Sequence, residues 1–248
     1  MTRDKIYFAS DFHLGAPSHI ESISREKKII SWLDSIKNDA KSIYLLGDIF
    51  DFWFEYKTVV PKGFVRLLGK IAELNDIGIR IYLLKGNHDM WMYNYLPDEI
   101  GVKILKDKTI IEEHGKKIFI AHGDGLGPGD NRYKLIKKIF TSKICQWIFS
   151  YIHPDFGVKI AHMWSKKSRI ANNNNPEKFL GEDKEWLVKY CVKKQIEFEV
   201  DYYIFGHRHL PLDIRIDKKA KYVNVGDWLS YNSYAVLNKQ KLELKYYK

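Results

Sequence analysis

The sequence predicts a layered α/β fold on three observations. Short runs rich in β-branched and aromatic residues each end at a glycine or an acidic residue, as strands do where they leave a sheet. The segments between the first three runs place apolar residues on one face at helical spacing. Hydrophobic residues make up 45% of the 248 positions, which is enough for a large core. Strands that alternate with helices indicate a sheet covered by helices.

The N-terminal half contains four of these predicted strands, namely IYFAS (6–10), SIYLLG (42–47), IRIYLLKG (79–86) and KIFIAHG (117–123). Two helices are predicted between the first three strands. The first, at 24–38, has an apolar face made by Ile29, Ile30, Leu33 and Ile36, and the second, at 64–77, repeats that spacing.

The C-terminal part begins with a predicted helix near Glu182–Gln195. It continues with four strand-like runs, DYYIFGH, KYVNVGD, SYAVLN and KLELKYY. Turns, and no helices, separate these runs. They predict a second, largely antiparallel group of strands.

Polar side chains with metal and proton chemistry follow the predicted strands at the point where each ends. They are Asp11 and His13, then Asp48, then Asn87, His88 and Asp89, then His122, and finally His207 and His209. In an open α/β sheet, ligands bind beyond the carboxyl ends of the strands. We therefore expect these residues, although distant in sequence, to converge on one site.

The residue types indicate a metal centre. Imidazole, carboxylate and amide oxygen without a thiolate suit manganese, iron or zinc. The seven ligands that remain when His88 and Asp89 are set aside are too many for one ion with an open position, and they fit two ions that share a carboxylate. The Asp-x-His and His-x-His pairs are expected in extended backbone, where alternate side chains point the same way. Gly47, Gly86 and Gly206 precede ligands and allow sharp turns.

In this order, the motifs Asp-x-His, Gly-Asp, Gly-Asn-His-Asp, His-Gly and Gly-His-x-His resemble those of the calcineurin-like metallophosphoesterase superfamily, over most of the chain. The resemblance implies a four-layer αββα sandwich, a single domain over 1–248, and two divalent metal ions, with Mn²⁺ expected. One ion would be held by Asp11, His13, Asp48 and His209, and the other by Asp48, Asn87, His122 and His207. Two such ions clamp a phosphate oxygen and lower the pKa of a water between them.

The same resemblance gives roles to the two residues that follow Asn87. It implies that His88 faces the phosphate, as a charge stabiliser or proton donor. We expect Asp89 to orient His88 from behind, because imidazoles near metals usually need an acceptor for their second nitrogen. His88 and Asp89 are therefore the predicted catalytic residues.

A basic segment follows the fourth strand. Between Leu126 and Ile170 stand nine lysines and arginines against two aspartates, while the whole chain has a formal net charge of +10. A concentrated basic patch favours a phosphate-bearing partner, although a solvated helix face has the same composition. Two helical stretches at about 126–175 combine these cations with aromatic and aliphatic residues. They indicate either helices packed on the core or a lid with an apolar inner wall, which suits an anionic lipid.

This basic helical insertion also resembles the lid of the UDP-2,3-diacylglucosamine hydrolases of the lipid A pathway. The resemblance implies water attack on the α-phosphorus of UDP-2,3-diacylglucosamine, with release of UMP and 2,3-diacylglucosamine 1-phosphate. Substrate contacts would come from Asn87, Asp130, Tyr133, Ser168, Arg169 and His209, and acyl chains would lie against residues such as Trp147 and Ile148. Known members carry arginine at the position of His88, so a dimetal phosphoesterase acting on nucleotides, phosphoproteins or nucleic acid is the alternative.

Cysteine usage and hydropathy predict the compartment. Two cysteines, Cys145 and Cys191, give no disulfide framework and fit a reducing compartment. No apolar run approaches the roughly 18 residues of a membrane span, and MTRDKIYFASD lacks the apolar core of a signal peptide. We expect a cytoplasmic protein bound peripherally to the inner membrane, with an anionic lipid substrate, no nucleic acid and no obligate protein partner.

Overall fold

The computed structural model describes residues 3–127, 131–173, 178, 179 and 181–248, without the side chains of 131, 132, 164 and 166–173. Strands and helices alternate in the first half of the chain. The order is β1 (Lys5–Ala9), α1 (His19–Ile36), β2 (Ala40–Leu45), α2 (Val65–Asp76), β3 (Arg80–Leu83), α3 (Tyr95–Ile100), β4 (Lys103–Ile104), β5 (Lys108–Glu113) and β6 (Lys116–Ala121).

Three helices follow β6, namely α4 (Asn131–Phe140), α5 (Lys143–Ser150) and α6 (Pro154–Asn173), and we call residues 131–173 the helical segment. A 3-10 helix (Glu182–Lys184) and α7 (Trp186–Phe198) come next. The chain ends with β7 (Tyr202–Phe205), β8 (Pro211–Arg215), β9 (Lys221–Val225), β10 (Ser233–Leu237) and β11 (Leu242–Tyr246).

Two sheets form the centre of the fold. One has the strand order β11-β10-β1-β2-β3-β4, and the other has the order β5-β6-β7-β9-β8. The strands β1, β2 and β3 are parallel neighbours in the first sheet, and β6, β7 and β9 are parallel neighbours in the second. Parallel neighbours end at the same edge of a sheet, so the loops after these strands are brought together.

Three clusters of buried hydrophobic residues define four layers. Trp32 of α1 and Leu67 of α2 pack on the outer face of the first sheet. Phe8 of β1 and Ile120 of β6 belong to the cluster between the two sheets. Leu187 of α7 packs on the outer face of the second sheet. The predicted αββα sandwich is therefore confirmed, because each sheet buries both faces, one against helices and one against the other sheet.

The grouping predicted for the C-terminal strands is wrong. The strands β10 and β11 join the first sheet, where β10 runs antiparallel to β1, while β7 and β9 lie in the second sheet parallel to each other. All four residues of β7 are buried, which is typical of a central parallel strand covered on both faces. The sequence patterns did not predict four elements, because these are short or carry polar residues at exposed positions. They are α3, β4, β5 and β8.

The helical segment packs over the loops that follow β2 and β3. The indole Nε1 of Trp91 donates a hydrogen bond of 2.7 Å to the carbonyl of Phe140 at the end of α4. The Phe149 ring of α5 lies 4.7 Å from the Trp91 ring, between centroids. The first predicted stretch is two helices, because the chain turns between Phe140 and Lys143. None of the described helices is both long enough and apolar enough to span a membrane.

Candidate metal centre

The predicted ligands lie where the parallel strands end, at one edge of the sandwich. Five of them have left-handed backbone, with positive φ of 57° at Asp11, 43° at His13, 53° at Asp48, 64° at His207 and 48° at His209. The extended backbone predicted for the Asp-x-His and His-x-His pairs is therefore wrong. Left-handed conformations are costly for residues other than glycine and cluster at functional sites, where the surrounding structure enforces them.

Glycines let the strand ends approach one another. Gly47 has a φ of 97°, and a Cβ atom there would lie 2.7 Å from the backbone nitrogen of Gly86. A Cβ atom on Gly86 would collide with the Asp48 carboxylate. Both positions therefore need glycine, one for its backbone conformation and both for the close approach of the loops after β2 and β3.

The first group of ligand atoms comes from Asp11, His13 and His209. His209 Nε2 lies 3.2 Å from Asp11 Oδ1 and 3.2 Å from His13 Nε2. His13 Nε2 is 3.6 Å from Asp11 Oδ1 and 3.7 Å from Asp48 Oδ2. These atoms surround one point, and Asp48 reaches toward it from the second group.

The second group comes from Asp48, His122 and His207. His122 Nε2 lies 3.2 Å from Asp48 Oδ2 and 3.2 Å from Asn87 Oδ1. The other oxygen, Asp48 Oδ1, accepts a hydrogen bond of 2.8 Å from the backbone N–H of His88. That bond orients the carboxylate so that Oδ2 faces both groups. All seven side chains predicted as metal ligands thus lie in or beside these two groups.

The converging atoms fit two divalent cations. Asp11 Oδ1 is buried and accepts no hydrogen bond from any residue that the structure describes. The ring nitrogens of His13 and His209 face each other across the same point. Imidazole nitrogens and carboxylate oxygens that converge in this way, with an amide oxygen nearby, form a ligand set for manganese, iron or zinc.

The charges of the centre shift the pKa values of its members. Burial lowers the pKa of His122, but the Asp48 and Asp11 carboxylates outweigh burial and raise the pKa to about 10. Burial and the neighbouring His122 lower the pKa of His207 to about 4. Burial raises the pKa of Asp48, but the His122 and His88 charges outweigh burial, so that its pKa lies below the usual range. The centre therefore favours positive charge beside Asp48.

Two hydrogen bonds orient ligand imidazoles from outside the ligand groups. His122 Nδ1 lies 2.8 Å from the carbonyl oxygen of Leu46, and His209 Nδ1 lies 3.2 Å from Asp227 Oδ2. Asp227 is itself held by the backbone N–H groups of Ser230 and Tyr231. Such partners set which ring nitrogen is free for a metal. Sequence reasoning missed Asp227, although it follows β9 in a Gly-Asp pair like that of Asp48.

The surroundings of His88 differ from the prediction. Asp89 is fully buried and accepts hydrogen bonds from the backbone N–H groups of Ile49 at 2.7 Å and Gly86 at 2.8 Å. Asp89 therefore joins the loops after β2 and β3 instead of orienting His88. His88 Nδ1 lies 3.1 Å from the Asp51 carbonyl oxygen and 3.7 Å from Asp51 Oδ1. Burial and the Asp48 charge raise the pKa of Asp89 to about 7.

Asp51 joins the centre to the helical segment. Its Oδ1 lies 3.5 Å from Nδ1 of the predicted ligand His13 and accepts a hydrogen bond of 2.9 Å from Ser165 Oγ of α6. Its Oδ2 lies 3.6 Å from Nδ1 of His162, also on α6. Sequence reasoning missed Ser165, because a buried serine in an amphipathic helix has no distinctive pattern.

The predicted substrate-binding residues lie in different parts of the site. Asn87 is beside the second ligand group and His209 is in the first. Tyr133 Oη donates a hydrogen bond of 2.5 Å to Asp124 Oδ2. Asp130 lies outside the described residues, as do the side chains of Ser168 and Arg169, whose backbone belongs to α6.

An apolar cavity of about 350 Å³ lies between the centre and the helical segment. His88 and Asn87 line its inner end. The walls come mainly from Met90, Trp91, Tyr133, Ile136, Phe140, Phe149, Ile152 and Ile160. Trp147 and Ile148, which were predicted to contact acyl chains, are 62% and 56% exposed and point away from this cavity. The apolar inner wall therefore exists, but other residues of the same helices form it.

Comparisons with known proteins show which family and relatives the chain is similar to. The calcineurin-like phosphoesterase family profile matches residues 4–211. The chain is 38% identical over 255 residues to a UDP-2,3-diacylglucosamine hydrolase of Porphyromonas gingivalis, with 98% of this chain and 97% of that protein covered. It is 24% identical over 238 residues to one of Shewanella sp., covering 96% and 95%, and 25% identical over 228 residues to one of Histophilus somni, covering 90% and 92%.

Proposed function

We propose that this chain, which belongs to the calcineurin-like phosphoesterase family, cleaves the pyrophosphate of UDP-2,3-diacylglucosamine in lipid A biosynthesis. Water attacks the α-phosphorus, and UMP and 2,3-diacylglucosamine 1-phosphate leave. The observation that carries the proposal is the position of the apolar cavity, which begins at His88 and Asn87 beside the two ligand groups. A substrate with a pyrophosphate next to acyl chains needs a metal centre and an apolar cavity side by side.

Asp11, His13, Asp48 and His209 would hold one divalent ion, and Asp48, Asn87, His122 and His207 would hold the other. The position of Asp48 Oδ2 between His13 and His122 supports its role as the shared ligand. The ions, for which Mn²⁺ is the proposed identity, supply Lewis-acid polarisation of the phosphate and a water of lowered pKa. The oxygen and nitrogen ligands are compatible with Mn²⁺, and zinc or iron are the other metals that this set accepts.

Residues beside the ions position the pyrophosphate. His88 faces it, and the contact of Nδ1 with the Asp51 carbonyl leaves Nε2 directed away from Asp51, available to contact phosphate oxygen. Asp89 holds the Gly86 turn against the loop after β2, which keeps Asn87 and His88 in place. Asp89 is thus a positioning residue, and His88 is the residue proposed to touch the substrate.

The acyl chains enter the apolar cavity, whose walls are mostly hydrophobic. Tyr133 lines this cavity and contacts Asp124, so it can place the sugar phosphate between the cavity and the ions. Asp130, Ser168 and Arg169 complete the proposed contacts with the polar part of the substrate, as Asn87 and His209 do from the metal centre. The basic character of residues 126–170 supports an anionic substrate.

The chain forms one metallophosphoesterase domain over 1–248, and the insertion at about 126–175 is its lid. The outer face of this lid binds the cytoplasmic face of the inner membrane peripherally. Ile144, Trp147 and Tyr151 support this placement, because they are 71%, 62% and 75% exposed and lie beside lysines of the same segment. Apolar side chains with cations around them bind anionic lipid surfaces.

An isotope experiment tests the reaction directly. Protein reloaded with Mn²⁺ is incubated with UDP-2,3-diacylglucosamine in ¹⁸O-labelled water, and the products are measured by mass spectrometry. We expect one ¹⁸O atom in UMP and none in the lipid phosphate, because water attacks the α-phosphorus. Label in the lipid phosphate would assign attack to the β-phosphorus. Hydrolysis of simple nucleotides without release of UMP from the lipid would favour another dimetal phosphoesterase.

A further inference from the structure

A second cavity, of about 240 Å³, lies beside the metal centre and has no role in the function described so far. It is enclosed by the end of β3, the start of β5, the loop after β6 and the helix α4. Four lysines line it, namely Lys85, Lys108, Lys134 and Lys137, together with Asp107 and Asp124. We call this cavity the lysine pocket.

The lysine pocket begins at the second ligand group. Lys85 lies two residues before the ligand Asn87, and Gly123, which lines the pocket, directly follows the ligand His122. Lys137 lines both the lysine pocket and the apolar cavity. The two cavities therefore meet at this side chain, close to the point where the pyrophosphate must lie.

The lysine pocket carries more positive than negative charge. Lys137 is neutralised by Asp124, whose Oδ2 lies 2.6 Å from the lysine Nζ. Lys134 donates a hydrogen bond of 2.8 Å to the carbonyl oxygen of Gly127. Among the described residues, no carboxylate oxygen lies within 4.0 Å of Lys85 Nζ, which sits over the Tyr93 ring at 5.5 Å from its centroid.

We propose that the lysine pocket binds the nucleoside monophosphate half of the substrate, with the α-phosphate at the end of the pocket that adjoins the second ligand group and facing Lys85 and Lys134. This proposal rests on the proposed function, since it assigns a place to the half of the substrate that carries no acyl chain. The pocket has the volume of roughly eight liquid waters. It is thus too small and too polar for a diacylated sugar, whereas a ribose phosphate fits its size and charge.

Binding of UMP to the Mn²⁺-loaded protein tests the assignment by calorimetry. We expect Lys85→Met and Lys134→Met each to weaken UMP binding about tenfold, because a hydrogen bond to a charged group is lost in each. Methionine retains an apolar stem of similar length, which limits the effect on packing. Lys138→Met is the matched control, because Lys138 is on the same helix but exposed and outside the pocket. It should leave UMP binding unchanged.

Chemical labelling locates the nucleotide without reference to activity. Periodate-oxidised UMP carries a dialdehyde on the ribose, which forms an imine with a nearby lysine that borohydride reduces to a stable amine. We expect peptide mapping to find the label on Lys85, Lys108 or Lys134, and excess UMP to prevent it. Label on Lys138 and other exposed lysines, without protection by UMP, would overturn the assignment.

The two proposals fail in different ways. Release of UMP from the lipid, with unchanged UMP affinity in both lysine variants, would leave the hydrolase in place and remove the pocket assignment. Weakened UMP binding in those variants, with no turnover of the lipid, would leave the nucleotide pocket in place and remove the lipid substrate. Equal affinity for UMP and inorganic phosphate would reduce the pocket to a phosphate site and so contradict the nucleoside assignment.

Discussion

Ser165 Oγ donates a hydrogen bond of 2.9 Å to Asp51 Oδ1, and both side chains are buried. Asp51 lies in the loop after β2 that also carries Asp48, and its carboxylate faces His13 and His88. The bond thus connects α6 of the proposed lid with the loop that carries Asp48, the proposed shared metal ligand. A shift of α6 must either break this bond or move a carboxylate that contacts the centre.

We expect Ser165→Ala to lower kcat/KM for UDP-2,3-diacylglucosamine about tenfold, because a hydrogen bond to a buried carboxylate contributes roughly 1.5–3 kcal/mol. A small chromogenic phosphodiester does not use the lid, and its hydrolysis should change by less than about twofold. Steady-state kinetics with both substrates measure the difference.

Ser150→Ala is the control for this change. Ser150 is an exposed lid serine whose Oγ donates a hydrogen bond of 2.6 Å to the Trp147 carbonyl, within its own helix. Its replacement should leave both substrates unaffected. If Ser165→Ala slowed both substrates equally, the bond would act on the centre itself and the role assigned to the lid would be wrong.

Asp48→Asn should reduce turnover by more than about a hundredfold. This is a larger loss than the roughly 10–100-fold that follows mutation of residues which only hydrogen-bond to metal ligands. The reason is that Asp48 Oδ2 faces both ligand groups, and a neutral amide cannot balance two cations. Metal analysis should show less bound metal per chain, while circular dichroism stays unchanged. Asp34→Asn, at a partly exposed carboxylate that pairs with Lys37 and Lys70, is the control. A variant that keeps most of its activity would show that Asp48 is not shared.

Filling the apolar cavity should impair the lipid substrate selectively. Ala161 of α6 lines the cavity, so Ala161→Phe adds volume where the acyl chain is proposed to lie. We expect KM for UDP-2,3-diacylglucosamine to rise at least about tenfold, since burial of each chain CH₂ contributes roughly 0.8 kcal/mol. Activity on the small phosphodiester should persist. Unchanged KM for substrates of every acyl length would contradict the assignment of the cavity.

Trp147 should affect membrane binding and not the substrate site, because it lies on the outer face of the same lid and not in the cavity. Trp147→Ala should weaken sedimentation with phosphatidylglycerol vesicles severalfold, since an aromatic side chain is lost from the membrane surface. Turnover of lipid dispersed in detergent should stay near the original value. Loss of turnover in detergent with normal vesicle binding would instead place Trp147 inside the substrate site.

The convergence of the predicted ligands could be foreseen from sequence because each one follows a hydrophobic strand, and the strand order of such folds brings these ends together. The conformation of the ligands was not, since Asp11 and His13 are left-handed and only contacts with neighbouring loops enforce that backbone. The distribution of strands between the two sheets was also missed, because β10 pairs with β1 across more than two hundred residues and local patterns do not record that pairing.

The prediction that Asp89 orients His88 was wrong for a different reason. Asp89 follows His88 in sequence, but its carboxylate turns inward to the backbone of the loop after β2, whereas Asp51, thirty-seven residues earlier, lies beside the imidazole. Adjacent residues in a tight turn point in different directions, so sequence proximity misassigned the pair. The prediction of which lid residues contact acyl chains met the same difficulty. Phe149 lines the apolar cavity and Trp147 does not, although both belong to the short helix α5 and differ only in the face that they occupy.

Removal of the metal ions should lower the stability of the fold. Asp11, Asp48 and Asp89 are buried carboxylates at one edge of the sandwich, and cations that bind between the first two offset their mutual repulsion. Mn²⁺ at one hundred times its Kd should therefore raise the free energy of unfolding by about 2.7 kcal/mol, and Tm by roughly 5–10 °C, for each ion bound, relative to the EDTA-treated protein. Differential scanning calorimetry measures both. Asp48→Asn should lose most of this increase, because one shared ligand serves both ions. A Tm that ignores EDTA and added Mn²⁺ would mean that the converging side chains bind no metal.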